Sequence, residues 1–133
     1  MFTRFPVLPL LPRLASATAL LAILAACTTS ATTQTTNSTS CSSGTPCYCV
    51  TSDSCSLSCP TTGCEFNCNG SGDCNFSCPD GNCTVDTMSS GDMTLSCTGG
   101  NCTVNCGGSG DCTIDGCTSG CTCNKMGSGD CSD

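Results

Sequence analysis

The motif "SGDC" at residues 71–74 decides the fold of this chain, because it recurs on a fixed period. Nineteen residues later the chain reads "SGDM" (90–93), and "SGDC" returns at 109–112 and again at 128–131. The intervening segments align as well, with SGDCNFSCPDGNCTVDTMS at 71–89 followed by SGDMTLSCTGGNCTVNCGG at 90–108. Self-similarity at a fixed period is typical of a repeat architecture in which each unit packs on the next.

Most repeat units contain two segments of the form Cys–x–apolar–x–Cys or a close variant, such as "CNFSC" (74–78) and "CTVNC" (102–106). Alternation with a period of two indicates a short strand with one face inward, and the Gly and Asn residues between segments indicate turns. Two strands per coil predict an all-β fold: a small, flattened, parallel β-solenoid stapled by disulfides. Cysteine and apolar residues face inward, and Thr, Ser, Asn and Asp face outward. The alternative, an irregular knot of disulfides, does not require a strict period.

The composition agrees with a single disulfide scaffold. The chain has 133 residues, 19 of them cysteine, and it contains no Trp and no His. That cysteine content is far above the level that marks a disulfide scaffold. Candidates for an apolar core are few, so covalent cross-links must contribute much of the stability. The candidates beyond residue 50 are Leu57, Phe66, Phe76, Val85, Leu95, Val104 and Ile114.

A break in the repeat suggests how the cysteines pair. Thr87 stands where neighbouring units have Cys68 and Cys106, and Met93 stands where they have Cys74 and Cys112. If these two columns pair across the intervening turn, the two replaced cysteines together account for a single missing disulfide, and no cysteine is left without a partner. Pairing within a unit would instead leave two cysteines unpaired. In this interpretation Met93 fills the space of a missing bridge, because its flexible thioether adapts to irregular gaps.

The pairing rule extends to all eighteen cysteines after Cys27. One turn of each coil pairs Cys49–Cys55, Cys68–Cys74 and Cys106–Cys112. The other turn pairs Cys59–Cys64, Cys78–Cys83, Cys97–Cys102 and Cys117–Cys121. Four cysteines remain at the two ends, and the simplest assignment is Cys41–Cys47 and Cys123–Cys131.

The N-terminus carries an export signal. A stretch with Arg4 and Arg13 precedes an apolar run, "LASATALLAILAA" (14–26), that is too short to span a bilayer and is typical of a signal peptide. Its end, "LAAC" (24–27), resembles the lipobox of bacterial lipoproteins. The resemblance implies that Leu24 to Ala26 are recognised and that Cys27 is acylated as the first residue of the mature chain. An ordinary secretory signal followed by a chance cysteine is the alternative.

The lipobox interpretation also explains the odd number of cysteines, because lipidation of Cys27 leaves an even eighteen. Acyl chains at Cys27 would anchor the protein stably to a membrane. Thr28 in the next position favours the outer over the inner membrane by the enterobacterial rule. The uncharged segment "TTSATTQTTNSTS" (28–40) cannot form a core and is predicted to be a flexible tether. The predicted organisation is therefore a signal peptide (1–26), a lipidated tether (27–40) and a solenoid (41–133).

The charge excludes one class of partner. Outside the N-terminal segment, Lys125 is the one cation against ten acidic residues. No basic surface for phosphates exists, so nucleic acid is not expected as a partner. With no His in the chain, a Ser–His or Cys–His nucleophile cannot be assembled, and Glu65 lies at an outward position among polar neighbours. No catalytic residue, cofactor or resident metal is therefore assigned, and the chain is not expected to be an enzyme.

A column of aspartates requires separate consideration. Asp73, Asp92, Asp111 and Asp130 recur on the period, at the spacing of paired strands. The segment "GGSGDCTID" (107–115) is similar to the calcium-binding nonapeptide of RTX β-rolls, but Cys112 occupies the position of the calcium ligand. We therefore expect each Asp to accept N–H groups of the turns. Calcium binding is the alternative.

Ice and soft metals are two other candidate ligands. The Thr-bearing, disulfide-stapled coils resemble insect antifreeze β-helices, with Thr84, Thr103 and Thr122 in one rank and Thr94 and Thr113 on the opposite sheet. Ice binding in that family uses paired Thr ranks, whereas the partner positions here are Asp86, Asn105 and Asn124. The segments "CYC" (47–49) and "CTC" (121–123) suit a thiolate store for soft metals, although export favours disulfides.

These observations lead to a functional hypothesis. We expect a membrane-anchored, exported lipoprotein with a non-enzymatic structural or adhesive role at the cell surface or in the periplasm. The alternative is a ligand-binding module for calcium, a soft metal or ice.

Overall fold

The alternating segments of the repeat form short strands in the structure, a computed structural model that describes residues 37, 38 and 40–133. This part of the chain contains ten strands and no helix. The strands are β1 (Cys47–Cys49), β2 (Cys55–Ser58), β3 (Glu65–Cys68), β4 (Cys74–Ser77), β5 (Thr84–Thr87), β6 (Met93–Ser96), β7 (Thr103–Cys106), β8 (Cys112–Asp115), β9 (Thr122–Lys125) and β10 (Cys131–Ser132).

The strands alternate between two five-stranded sheets. Odd-numbered strands form one sheet in the order β1-β3-β5-β7-β9, and even-numbered strands form the other in the order β2-β4-β6-β8-β10. Every pair is parallel and keeps the period of the sequence, so that Phe66 pairs with Val85 and Val85 with Val104. The prediction of an all-β, flattened parallel β-solenoid with two strands per nineteen-residue coil is confirmed.

The space between the two sheets is filled by the inward residues. Six of the seven core candidates are buried, and the rings of Phe66 and Phe76 stack with their centroids 4.5 Å apart. Leu57 is only half-buried, because β2 is an edge strand of its sheet in the described part of the chain and pairs with β4 on one side only. The core is a single layer of apolar side chains and half-cystines, as the composition implied.

Nine disulfides close the turns of the coils, and they join the same pairs that the repeat-break argument predicts. The Cα–Cα distances lie between 5.7 Å for Cys41–Cys47 and 6.4 Å for Cys78–Cys83, within the ordinary range for a disulfide. Each bridge spans four to eight residues of sequence. None of them therefore links one coil to another.

The break in the disulfide columns lies inside the core. Thr87 pairs in register between Cys68 and Cys106, and its side chain is 4% exposed. Met93 lies in the equivalent position on the other sheet and is 1% exposed. The side chains of Thr87 and Met93 thus occupy the interior at the turn where neighbouring coils have a disulfide bridge.

Hydrogen bonds of Ser89 stabilise the turn that lacks a disulfide bridge. The pattern of cysteines alone did not indicate this role of Ser89. Its buried hydroxyl lies 3.2 Å from the carbonyl oxygens of both Gly70 and Gly72 in the preceding coil, and it accepts the N–H of Gly91 at 3.1 Å. The N–H of Ser89 donates to Oγ1 of Thr87 at 3.2 Å. Two hydroxyls therefore hold the turn 87–93 to itself and to the coil before it.

The glycines of the SGD motif allow the coils to stack closely. A Cβ atom on Gly91 would lie 2.4 Å from the carbonyl oxygen of Gly72, and one on Gly110 would lie 2.0 Å from that of Gly91. The same conflict occurs at Gly72 and Gly129. The obstacle in each case is backbone, which cannot move aside without breaking the stack. Contact between coils therefore accounts for the glycine of the motif.

The opposite turn needs a left-handed backbone instead. Gly63 and Gly120 have φ of 77° and 69°, and the intervening coils place Asn82 and Asn101 in this column with φ of 58° and 55°. Asparagine tolerates this conformation better than other side-chain-bearing residues. The restriction of this column to Gly and Asn thus follows from backbone conformation.

The N-terminal edge of the first sheet is covered by the chain itself. The N–H of Ser38 donates to the carbonyl of Tyr48, and the N–H of Tyr48 donates to Oγ of Ser38, both at 2.8 Å. Oδ1 of Asn37 accepts the N–H of Val50 at 2.9 Å. Asn37 and Ser38, which the sequence placed at the end of the tether, therefore interact with strand β1.

The pairing of these two columns across the turn can be tested by introducing cysteines at positions 87 and 93. In Thr87→Cys/Met93→Cys the two thiols should form a tenth bridge, because the equivalent pairs on either side have Cα–Cα distances of 6.3 Å and 6.1 Å. The bridge should stabilise the protein by about 2 kcal/mol, less the cost of losing the Thr87 hydroxyl. Peptide mapping and denaturant unfolding measure the two effects.

The single variants Thr87→Cys and Met93→Cys are the matched controls, and each should leave a free thiol or rearrange a neighbouring bond. A double variant in which the nine native bridges persist and the two new thiols stay unpaired would contradict the pairing of these columns across the turn.

Candidate functional site

One outer surface of the solenoid is an array of threonines and amides. We call this the threonine–amide face: the outward residues of β3, β5, β7 and β9. Thr84, Thr103 and Thr122 stack in register along it. Beside them, Nδ2 of Asn105 donates to Oδ1 of Asp86 at 2.7 Å, and Nδ2 of Asn124 donates to Oδ1 of Asn105 at 3.0 Å. The second column is thus a hydrogen-bonded ladder that fixes its side chains.

The opposite surface, formed by the outward residues of β2, β4, β6, β8 and β10, is here called the hydroxyl face. Hydroxyl side chains recur along it at the spacing of parallel strands, about 4.8 Å. The hydroxyls of Thr113 and Ser132 lie 3.4 Å apart. Its two columns are Ser56, Asn75, Thr94, Thr113 and Ser132, and Ser58, Ser77, Ser96 and Asp115.

The placement of the threonine ranks matches the sequence prediction. Thr84 and Thr103 lie on one sheet, whereas Thr94 and Thr113 lie on the other. The neighbour of the first rank is the Asp86 ladder, so the described coils do not bring two threonine ranks together on one face.

Three of the four carboxylates in the aspartate column accept backbone hydrogen bonds. Oδ1 of Asp73 accepts the N–H of Asp92 at 3.0 Å, and Oδ1 of Asp92 accepts that of Asp111 at 3.0 Å. Asp111 in turn accepts the N–H of Asp130 at 2.8 Å. The prediction that these carboxylates accept turn N–H groups is confirmed for Asp73, Asp92 and Asp111, with each donor in the following coil. Oδ1 of Asp130 instead accepts a hydrogen bond from Nζ of Lys125 at 3.1 Å. Each of the first three carboxylates therefore joins two coils.

Within the described residues, no three or more Cys, Asp or Glu side chains are grouped so that they could hold a metal ion. Cys47, Cys49, Cys121 and Cys123, suggested above as soft-metal ligands, are each in a disulfide. They offer no thiolate.

Two shallow pockets indent the surface. One, of about 330 Å³, lies at the N-terminal end and is lined by Leu57, Pro60 and nearby serines. The other, of about 270 Å³, lies at the edge of the threonine–amide face beside Asp86 and is lined by Met88 and Met126, which directly follow strands β5 and β9. Glu65 is exposed on strand β3 and lines neither pocket. Nothing in the pockets forms an acid–base pair.

The lipidation site predicted at Cys27 and the signal peptide at 1–26 lie outside the described residues. Within residues 37–38 and 40–133, no helix has the length and hydropathy needed to cross a bilayer. No family model, curated protein or solved structure matches the chain.

The aspartate column yields a prediction about calcium. Because the carboxylates of Asp73, Asp92 and Asp111 already accept N–H groups, the oxidised protein should give the same thermal unfolding midpoint with calcium as with a chelator. Asp92→Ala should cost about 1 kcal/mol through the unpaired N–H of Asp111, whereas Asp92→Asn, which keeps an acceptor oxygen, should cost less. Circular dichroism during thermal unfolding measures both effects.

A calcium-dependent gain in β-structure of the oxidised protein would contradict this assignment. Equal destabilisation by the Ala and Asn variants would show that the negative charge, and not the acceptor oxygen, is what matters.

Proposed function

We propose that the chain is an exported bacterial lipoprotein, anchored through acylated Cys27 and non-enzymatic in function. In this proposal residues 1–26 are removed as a signal peptide, and 27–40 include the lipidated cysteine and the tether. The solenoid is held away from the membrane and presents its flat faces to an external surface. Its role is structural or adhesive, in the periplasm or at the cell surface, with the outer membrane favoured.

The disulfides support the proposal of export. All eighteen cysteines between Cys41 and Cys131 are paired, and bridges of this density persist only in an oxidising compartment. The odd cysteine, Cys27, follows Leu24, Ala25 and Ala26 at the end of an apolar run, where the lipobox places the acylated residue.

The observation that carries the surface role is the regular outer surface of the solenoid. Hydroxyl and amide groups repeat along both faces at the strand spacing, and the bonds of the Asp86 ladder fix their orientation on one of them. Ordered side chains lose little conformational entropy on binding, so such a face suits an extended, periodic partner. The acidic charge of the head disfavours anionic partners. A neutral, hydroxyl-rich polysaccharide surface fits these properties.

Membrane attachment is tested at Cys27. Replacing Cys27 with Ser should move the protein from the membrane fraction to the soluble fraction or leave it as an unprocessed precursor, because the acyl acceptor is lost. Fractionation and intact mass measure this. Thr28→Ala, which keeps the cysteine, is the control and should stay at the membrane. Retention of both membrane attachment and lipid mass in Cys27→Ser would contradict the lipoprotein proposal.

The adhesive role is tested on the two faces with Cys27→Ser protein and an insoluble polysaccharide such as cellulose. Thr84→Ala/Thr103→Ala removes two hydroxyls from the threonine–amide face, beside the ordered Asp86 ladder, and should lower retention several-fold. Thr94→Ala/Thr113→Ala makes the same change on the hydroxyl face, and its loss should be smaller.

A co-sedimentation isotherm for each protein, with the disulfide count checked by mass, gives the comparison. Absence of binding by the parent protein to neutral polysaccharides would contradict the proposed partner. Equal losses in the two variants would contradict the assignment of binding to the threonine–amide face.

A further inference from the structure

Two methionines, which directly follow strands β5 and β9, are exposed beside the threonine–amide face. Met88 is 77% exposed and Met126 is 65% exposed, and they are the large apolar side chains that the described residues leave in solvent. Single exposed apolar residues are common and need no explanation. Here, however, both side chains line one pocket of about 270 Å³ together with Asp86.

The coil geometry places the two methionines in one column. The N–H of Met88 donates to the carbonyl of Cys68 at 2.9 Å, and the N–H of Met126 donates to that of Cys106 at 2.8 Å, so the two residues hold equivalent positions two coils apart. Two strand spacings separate their backbones by about 9.6 Å. Flexible side chains of this length can converge across that distance.

The coil between them leaves the space open. Gly107 occupies the intervening position, and its N–H donates to the carbonyl of Thr87 at 2.9 Å. A Cβ atom on Gly107 would lie 2.8 Å from the carbonyl oxygen of Thr87 and 3.8 Å from Cγ of Met88, so a side chain there would press on the backbone and would also extend into the gap between the methionines. Glycine thus keeps the floor of the pocket free.

Asp86 supplies a negative charge at the side of the pocket. Its Oδ1 accepts the hydrogen bond from Asn105 at 2.7 Å, which orients the carboxylate, and Oδ2 has no hydrogen-bond partner among the described residues. The amides of Asn67 and Asn69 complete the polar lining. The pocket therefore combines two thioethers with one oriented carboxylate.

Thioethers are soft donors and select soft, monovalent metal ions such as Cu(I). The cysteines of the solenoid cannot serve, because all of them are in disulfides. Methionine sulfur keeps its donor capacity under conditions that form disulfides, and a carboxylate offsets the charge of the cation.

We propose that Met88 and Met126, assisted by Asp86, form a binding site for a soft monovalent metal ion, Cu(I) or its redox-inert analogue Ag(I). The site has a donor set unlike the thiolates suggested by the Cys–x–Cys segments. It does not depend on lipidation or adhesion, so it can fail or succeed separately from the function proposed above.

The test uses the full-length oxidised chain carrying Cys27→Ser, because a free thiol at position 27 would itself bind silver. Ag(I) is titrated by calorimetry, and the methionine methyl groups are followed by ¹³C NMR after selective labelling. One Ag(I) should bind per chain, and the methyl signals of Met88 and Met126 should shift. The signal of Met93, which is 1% exposed, should not respond.

Substitutions that preserve side-chain volume identify the ligands. Met88→Leu and Met126→Leu should each weaken Ag(I) binding at least tenfold, and the double variant should abolish it. Asp86→Asn should weaken binding several-fold. Met93→Leu is the matched control and should bind as the parent does, with nine disulfides confirmed by mass in every variant.

Absence of binding by the parent protein would overturn the proposal. So would binding that survives in the Met88→Leu/Met126→Leu variant, since the silver would then be held by other groups. Competition between the protein and bicinchoninate for Cu(I) should rank the variants in the same order as Ag(I), and a different order would contradict the assignment of the ligands.

Discussion

The structure depends on the close contact of each coil with the next, which lies nineteen residues further along the chain. This contact includes the turns as well as the strands: the N–H of Cys74 bonds to the carbonyl of Asp92, and that of Cys112 to the carbonyl of Asp130, both at 2.8 Å. Backbones can approach this closely only where no Cβ intervenes, as at Gly91. The SGD motif repeats because every coil must meet the same requirement.

Two kinds of bond have separate tasks in this arrangement. Disulfides close the turns within a coil, whereas hydrogen bonds join one coil to the next, and the Asp92 carboxylate adds to them by accepting the N–H of Asp111. The turn at 87–93 follows the same plan with weaker bonds, because the Ser89 hydroxyl connects both to its own turn and to the preceding one. The apolar interior fills the remaining space and is too thin to act alone.

The period and the alternation of the sequence were sufficient to predict the fold, the inward residues and the cysteine pairs, because each coil repeats one environment and a substitution in two columns at once reveals which columns meet. The role of Ser89 could not be predicted from cysteines. Its signal was a serine in a column otherwise occupied by Gly70, Gly108 and Gly127. The methionine pocket escaped prediction because Met88 and Met126 are thirty-eight residues apart, and only the stacking of coils makes them neighbours.

The local span of the bridges has a mechanical consequence. Since every disulfide returns to its own coil within eight residues, tension on the chain ends would not load a covalent cross-link between coils. Coils would detach one after another by loss of their hydrogen bonds, beginning at an end. Each released coil would extend by much less than its nineteen residues allow, because the bridges keep its turns closed. Under tension the solenoid would therefore lengthen in short steps, with one coil released at each step.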